Sequence, residues 1–193
     1  MDGLVNLPRV LATASLFLAL GTLAGWPLAA MLESHKRLRL YLASAIGLPV
    51  LAIAAFIAFH VLPFKIGWLA LFVVVFCAFL YRPRRQATAA LFDSQDAPGW
   101  LWPLVALGLA ALPACAVYPQ YFGESVGLPI PIFDHMKVAI VDEILRSGLP
   151  AHNPFFQEAG AGNKLVYYYL WYVLAALGGG LTGASGWEAE IAL

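Results

Sequence analysis

Residues 131–156 read PIFDHMKVAIVDEILRSGLPAHNPFF, and residues 165–177 read LVYYYLWYVLAAL. The first stretch is polar and punctuated by proline, and it sits between hydrophobic runs long enough to cross a bilayer. Its centre, from about His135 to Ser147, repeats with helical period. Val138, Val141, Ile144 and Leu145 fall on one face, while His135, Ala139, Asp142, Glu143 and Arg146 fall on the other. Asp134 is placed to cap the amino end, and Gly148 followed by Pro150 to stop the helix. Thirteen residues rising 1.5 Å each give a helix of about 20 Å. Beside a membrane, such a helix is expected to lie flat on the outer leaflet with its apolar stripe down. His152-Asn153-Pro154 forms a second stop before Phe155 and Phe156, aromatics suited to dip into the interface.

Composition supports a membrane setting. The 193 residues are 62% hydrophobic and 11% charged, against about 25% charged in soluble domains. Eleven basic residues balance eleven acidic ones, so net charge points to no partner, and the basic residues are too dispersed for nucleic acid. Cys77 and Cys115 lie in apolar runs, where cysteine acts as a small hydrophobe, so neither a disulfide nor a metal site is expected from them. The start of the chain lacks the form of a secretory signal, because only Arg9 precedes an apolar run that continues to Leu32. No glycine-rich phosphate cradle, H-E-x-x-H, paired C-x-x-C or G-x-S-x-G is present.

A spanning helix needs about 20 mainly apolar residues. Expected spans are Val10–Leu32, Leu40–Leu62, Ile66–Tyr81, Trp100–Tyr118 and a fifth from Leu165 to about Ala176, with a sixth beginning near Ser185. The chain stops within that sixth run, which suggests a fragment of a longer protein. Lys36, Arg37 and Arg39 lie between the first two spans, and Arg82, Arg84 and Arg85 between the third and fourth. Both clusters belong on the cytoplasmic side. The Pro63-Phe64-Lys65 connection and the interval from Pro119 to Lys164 are then outside. The expected fold is all-α: a polytopic helical membrane protein with an amphipathic juxtamembrane helix in a long outer loop. Residues 1–118 would form a four-helix transmembrane region, 119–164 the outer loop, and 165–193 the fifth helix and the start of a sixth.

The D-H-x-K run at Asp134, the G-L-P-x-x-N-P-F element at Gly148, and the tyrosine-rich entry at Tyr167 resemble the GT-C class of multi-pass glycosyltransferases. The resemblance covers about residues 130–176. In that class a large outer loop carries an acidic residue near the membrane, followed by a helix along its surface. Here four expected spans precede that loop, where many members have one. The resemblance implies a bacterial cytoplasmic-membrane enzyme that moves a sugar from a polyprenyl-phosphate donor to an acceptor on the outer face. Asp134 matches the loop acid and would be the catalytic base, since the acceptor hydroxyl must lose a proton as the anomeric carbon is attacked. It could equally hold a divalent cation, Mg or Mn, that bridges to phosphate. His135, matching the neighbour of that acid, Lys137 and Arg146 could instead neutralise the phosphate directly. Tyr167, Tyr168 and Tyr169 would help to enclose the sugar.

Plainer roles stand beside these. Asp134 can be a helix cap and still expose one carboxylate oxygen. Asn153 before Pro154 is first a turn signal, though its amide could orient a substrate hydroxyl. Asp142 and Glu143 suit a solvated face with Arg146, and three tyrosines suit an interfacial belt. Glu188 and Glu190 would be functional if they entered a membrane. The competing reading is a non-catalytic multi-pass membrane subunit, scaffold or transporter fragment. A transporter should carry polar residues at mid-span, which the first four runs almost lack.

Overall fold

The structure, a computed structural model, describes residues 7–32, 36–81, 104–105, 108–109, 120–123, 125–127, 131–155, 163–165 and 169–193. Among them the chain is helical apart from a small hairpin, in which strand β1 (Gln120–Phe122) pairs antiparallel with β2 (Ser125–Gly127) across Gly123. Gly123 has a φ of 66°, the left-handed turn conformation that glycine adopts without strain. This hairpin was not expected from the sequence. Most of the expected fourth span lies outside the described residues.

Helices α1 (Leu7–Leu32) and α2 (Lys36–Phe59) form an antiparallel pair. Its closeness is set by small residues. A Cβ on Gly25 would collide with the carbonyl oxygen of Ala43 and come within 2.6 Å of the Gly47 nitrogen, and one on Gly47 would collide with the Gly21 carbonyl. Backbone therefore meets backbone, as in the small-xxx-small packing of membrane helices. Each helix runs on through a proline, Pro27 in α1 and Pro49 in α2. Helix α3 (Ile66–Tyr81) completes the first unit, held at its start by Phe59 against Phe64 and Phe72 at 5.0 and 5.4 Å between ring centroids. Helices Leu7–Leu32 and Arg39–Phe59 are long and apolar enough to cross a membrane; Ile66–Leu80 and Leu170–Thr182 are apolar but shorter.

The remaining helices, α4 (Pro131–Ser147), α5 (Leu170–Thr182) and α6 (Gly186–Ala192), gather at one end of this bundle. That end is where α1 begins, α2 stops and α3 begins. Tyr169, just before α5, packs at a tilt against Phe56 of α2, 5.6 Å between ring centroids. Gly148, just after α4, lies against Phe64. Thr182 of α5 shares a hydrogen bond with Thr13 of α1 at 2.7 Å. Gly178, Gly179 and Gly180 leave room for Phe17, the Ala184 carbonyl and Leu69 respectively.

Helix α5 is 13 residues, about 20 Å at 1.5 Å per residue, and so shorter than the hydrocarbon core. Every residue from Tyr172 to Gly179 is buried. It is the centre of a core that also takes Phe17 and Leu20 of α1, Leu51, Ala55 and Phe59 of α2, and Ile140, Val141 and Ile144 of α4. An apolar helix with no polar face is stable in a protein interior or within a membrane, and α5 takes the interior. Helix α4 departs from the expected pose because the other helices, not lipid, cover its apolar stripe. Its stripe of Val138, Val141 and Ile144 is buried as the periodicity requires, but against protein rather than lipid.

Candidate functional site

Ionisable and hydroxyl side chains concentrate where α4, α6, the start of α1 and the 148–153 turn meet. Helix α4 begins at Pro131, earlier than expected, because proline suits a first helical position. Asp134 therefore lies inside the first turn rather than at the cap, and His135 follows it, with Lys137 half-buried in the next turn. The side chains of Asp134 and His135 are outside the described residues, as are Tyr167 and Tyr168.

Asp142 and Glu143 point to different neighbours, and the expected solvated face does not form. Asp142 is half-buried and accepts a hydrogen bond from the Gly186 N–H at 2.7 Å, capping α6 from another helix. A Cβ on Gly186 would stand 2.6 Å from the Asp142 Oδ1, so only glycine admits this approach. Burial pushes the Asp142 carboxyl up, opposed by the Gly186 N–H and the Arg146 charge. Glu143 is only 3% exposed. Its two oxygens face Arg146 at 3.2 Å and His152 at 3.5 Å, both of which reach solvent. The carboxylate thus ties α4 to the turn that follows it.

Glu188 is the second buried carboxylate, also 3% exposed. It accepts from the Ser185 N–H at 2.8 Å while its own N–H donates to Ser185 Oγ at 3.4 Å, a reciprocal cap on α6. Arg9 at the start of α1 lies 3.9 Å from the same carboxylate. Thr13, fully buried in the next turn, donates to the Arg9 carbonyl or to Thr182. The open alternatives for Glu188 resolve as a helix cap beside α1.

The turn after α4 is built like a short ladder. His152 and Lys164 bridge antiparallel, the Asn153 N–H donates to the Asn163 carbonyl at 2.8 Å, and the Leu165 N–H to Ala151 at 2.9 Å. Asn153 Oδ1 accepts from the Phe155 N–H at 3.0 Å, so its amide is a turn former. Phe155 is 54% exposed.

The structure thus brings Lys137, Asn153 and Tyr169 to one end of the molecule with α4, and places Glu143 and Glu188 there as buried acids, where the sequence predicts a solvated face for Glu143 and leaves Glu188 open. No local signal marks Glu143, because helical spacing puts it on the polar face with Asp142 and Arg146. Among the described residues no three His, Cys, Asp or Glu side chains are arranged to hold a metal ion.

No family model and no solved structure matches the chain. It is similar to the uncharacterised protein y4nK of Sinorhizobium fredii (strain NBRC 101917 / NGR234), with 41% identity over 190 residues. That alignment takes in 98% of this chain and 29% of the relative.

Proposed function

We propose that the chain is a polytopic unit of the bacterial cytoplasmic membrane, with α4–α6 on the outer side, and that it forms part of a glycosyltransferase resembling the GT-C class. The observation that carries this reading is the separation of surfaces. The flanks of α1–α3 expose large apolar side chains, with Ile57, Val74 and Phe79 at 64%, 63% and 75%. Large apolar side chains exposed along several helices in this way are expected to meet lipid or protein. The ionisable side chains of α4 and α6 sit instead at one end of the bundle. Lys36 and Arg39 begin α2 at the opposite end, in keeping with a cytoplasmic basic cluster.

In this reading Asp134 takes the proton of an acceptor hydroxyl, one turn before Lys137. His135 and Lys137 meet the donor phosphate, and Tyr167–Tyr169 with Asn153 border the sugar. Asp134 is also the residue that would hold a Mg or Mn ion, whose charge would offset that of the donor phosphate. The test is sugar transfer from a polyprenyl-phosphate donor in membranes carrying the full-length gene, wild type against Asp134→Asn at equal expression. Loss of a general base lowers the rate by about a hundredfold or more. Equal transfer would overturn the assignment of Asp134.

A non-catalytic membrane scaffold is the second reading, favoured by a specific observation: Asp142, Glu143 and Glu188 are all engaged in caps and ion pairs. Under it, no sugar is transferred, and substitutions at this end change stability alone.

A further inference from the structure

The end of α2 lies on the same side of the bundle as α4–α6 and carries a histidine that the proposed activity leaves unused. His60 follows directly on α2 and is exposed. Its Nδ1 lies 2.7 Å from the carbonyl oxygen of Phe56, in the last turn, where helix carbonyls lack an intrahelical donor. A carbonyl oxygen only accepts, so Nδ1 carries the hydrogen of this bond. In the neutral ring Nε2 is then an acceptor, at the corner of the imidazole turned away from that carbonyl. The Phe56 side chain holds the same ring a second time, 4.3 Å between centroids. Tyr169 packs against Phe56 as well, at 5.6 Å. Phe56 and Tyr169 are half-buried and anchored in the main core, so the three rings form one fixed group. Burial pushes the Tyr169 hydroxyl up, which keeps its hydrogen in place for donation.

We propose that Phe56, His60 and Tyr169 form a sugar subsite, in which a pyranose packs its C–H groups against the Phe56 and Tyr169 rings. One sugar hydroxyl donates to His60 Nε2, and another accepts from the Tyr169 hydroxyl. Aromatic surface with a few placed polar groups is the usual make-up of a small-molecule site. The chemistry favours a sugar over the other groups found at a membrane surface. A lipid chain has no use for an oriented acceptor. A phosphate is itself an acceptor and gains nothing from Nε2 of a neutral ring. A sugar offers both C–H surface and hydroxyl hydrogens. The competing role of His60 is a plain cap on α2, which uses Nδ1 alone. The choice of a sugar rests on the glycosyltransferase reading above, in which Tyr169 borders the sugar; Phe56 and His60 are added to it here.

The purified chain, isotope-labelled at its four histidines, is held in a sugar-free detergent at pH 8, where a histidine ring is ordinarily neutral. Ring nitrogen shifts are followed by NMR as methyl glucoside, methyl galactoside and methyl N-acetylglucosaminide are added, and His60→Gln identifies the His60 signals. The hydrogen is expected on Nδ1, with a saturable shift of Nε2 for at least one glycoside. Tyr169→Phe keeps the ring and removes the hydroxyl, and should weaken that binding by about three- to tenfold, as for one neutral hydrogen bond. Should it not fold, Phe56→Leu carries the same expectation. A hydrogen on Nε2 would overturn the proposal, as would the absence of a saturable shift with all three glycosides. In membranes carrying the full-length gene, His60→Gln should raise KM for the sugar donor and leave kcat in place. Transfer with unchanged KM would overturn the subsite and spare the glycosyltransferase reading. Saturable glycoside binding without any sugar transfer would overturn that reading and leave the subsite standing.

Discussion

Asp142 and Glu143 are neighbours in sequence with the same charge, yet the fold uses them differently, and substitutions should separate them. Asp142 is raised by burial, so its share of stability is fully present below the ordinary aspartate range near 3.8 and is lost as pH rises through the raised value. Asp142→Asn keeps an acceptor for Gly186 and should abolish that slope, which thermal unfolding between pH 3 and 8 would check. Asp142→Ala should also abolish that slope and, below the ordinary aspartate range, cost a further ~1 kcal/mol by leaving the Gly186 N–H without its partner. For Glu143 the asymmetry lies between partners. Arg146 and His152 are 68% and 45% exposed at their side chains, so Glu143→Gln returns them to water at little cost. Arg146→Ala leaves a buried carboxylate with one fewer cation. It should therefore be the more destabilising of the two, by about 1 kcal/mol, and the reverse order in chemical unfolding would refute this account. Neither role was legible locally. Periodicity placed both residues on a polar face, and only the arrival of α6 and of His152 decided what each carboxylate meets.

At the scale of elements, glycine spacing makes the sharpest forecast. Gly25→Ala would drive a methyl into the Ala43 carbonyl and force α1 and α2 apart, at about 1–3 kcal/mol. Gly67→Ala at the start of α3 meets nothing within 4 Å and should be neutral or stabilising, by up to about 1 kcal/mol from helix propensity. Melting temperatures of the two variants in one detergent test the contrast directly. Gly21-x-x-x-Gly25 stands in the sequence as a recognisable packing signal, and it marks the α1–α2 contact without structural help. Helix positions were similarly open to reading: Ile66–Tyr81 falls where hydrophobic content puts it, and α1 ends at the expected Leu32. Boundaries moved where propensity competes. Lys36 and Arg37 extend α2 into the basic cluster, and Pro131 advances α4 by a turn, taking Asp134 from cap to first turn. The hairpin at Gln120–Gly127 escaped because its strands are three residues each, too short for any alternation to show.

For the whole molecule, the arrangement of surfaces predicts behaviour in bulk. If the apolar flanks of α1–α3 face lipid, the chain should resist extraction from membranes by alkaline carbonate and require detergent. Recovery in the carbonate supernatant would refute the placement. Cysteines introduced at Lys65 and at Asn163, both exposed, should react with a membrane-impermeant maleimide from the same side in a Cys77→Ser, Cys115→Ser background. Labelling from opposite sides would break the assignment of α4–α6 to the Pro63 end. The sequence by itself determined the helical class, the position of the long apolar helices and the amphipathic character of α4, because these depend on composition and on a period of 3.6 residues along one chain. The tertiary structure alone decided that α5 is buried on every side, that the stripe of α4 meets protein, and that Glu143 and Glu188 lose their water. Those outcomes depend on which helices converge on a residue from distant parts of the chain. A carboxylate and its eventual partner, such as Asp142 and Gly186, carry no shared signal until packing brings them to 2.7 Å.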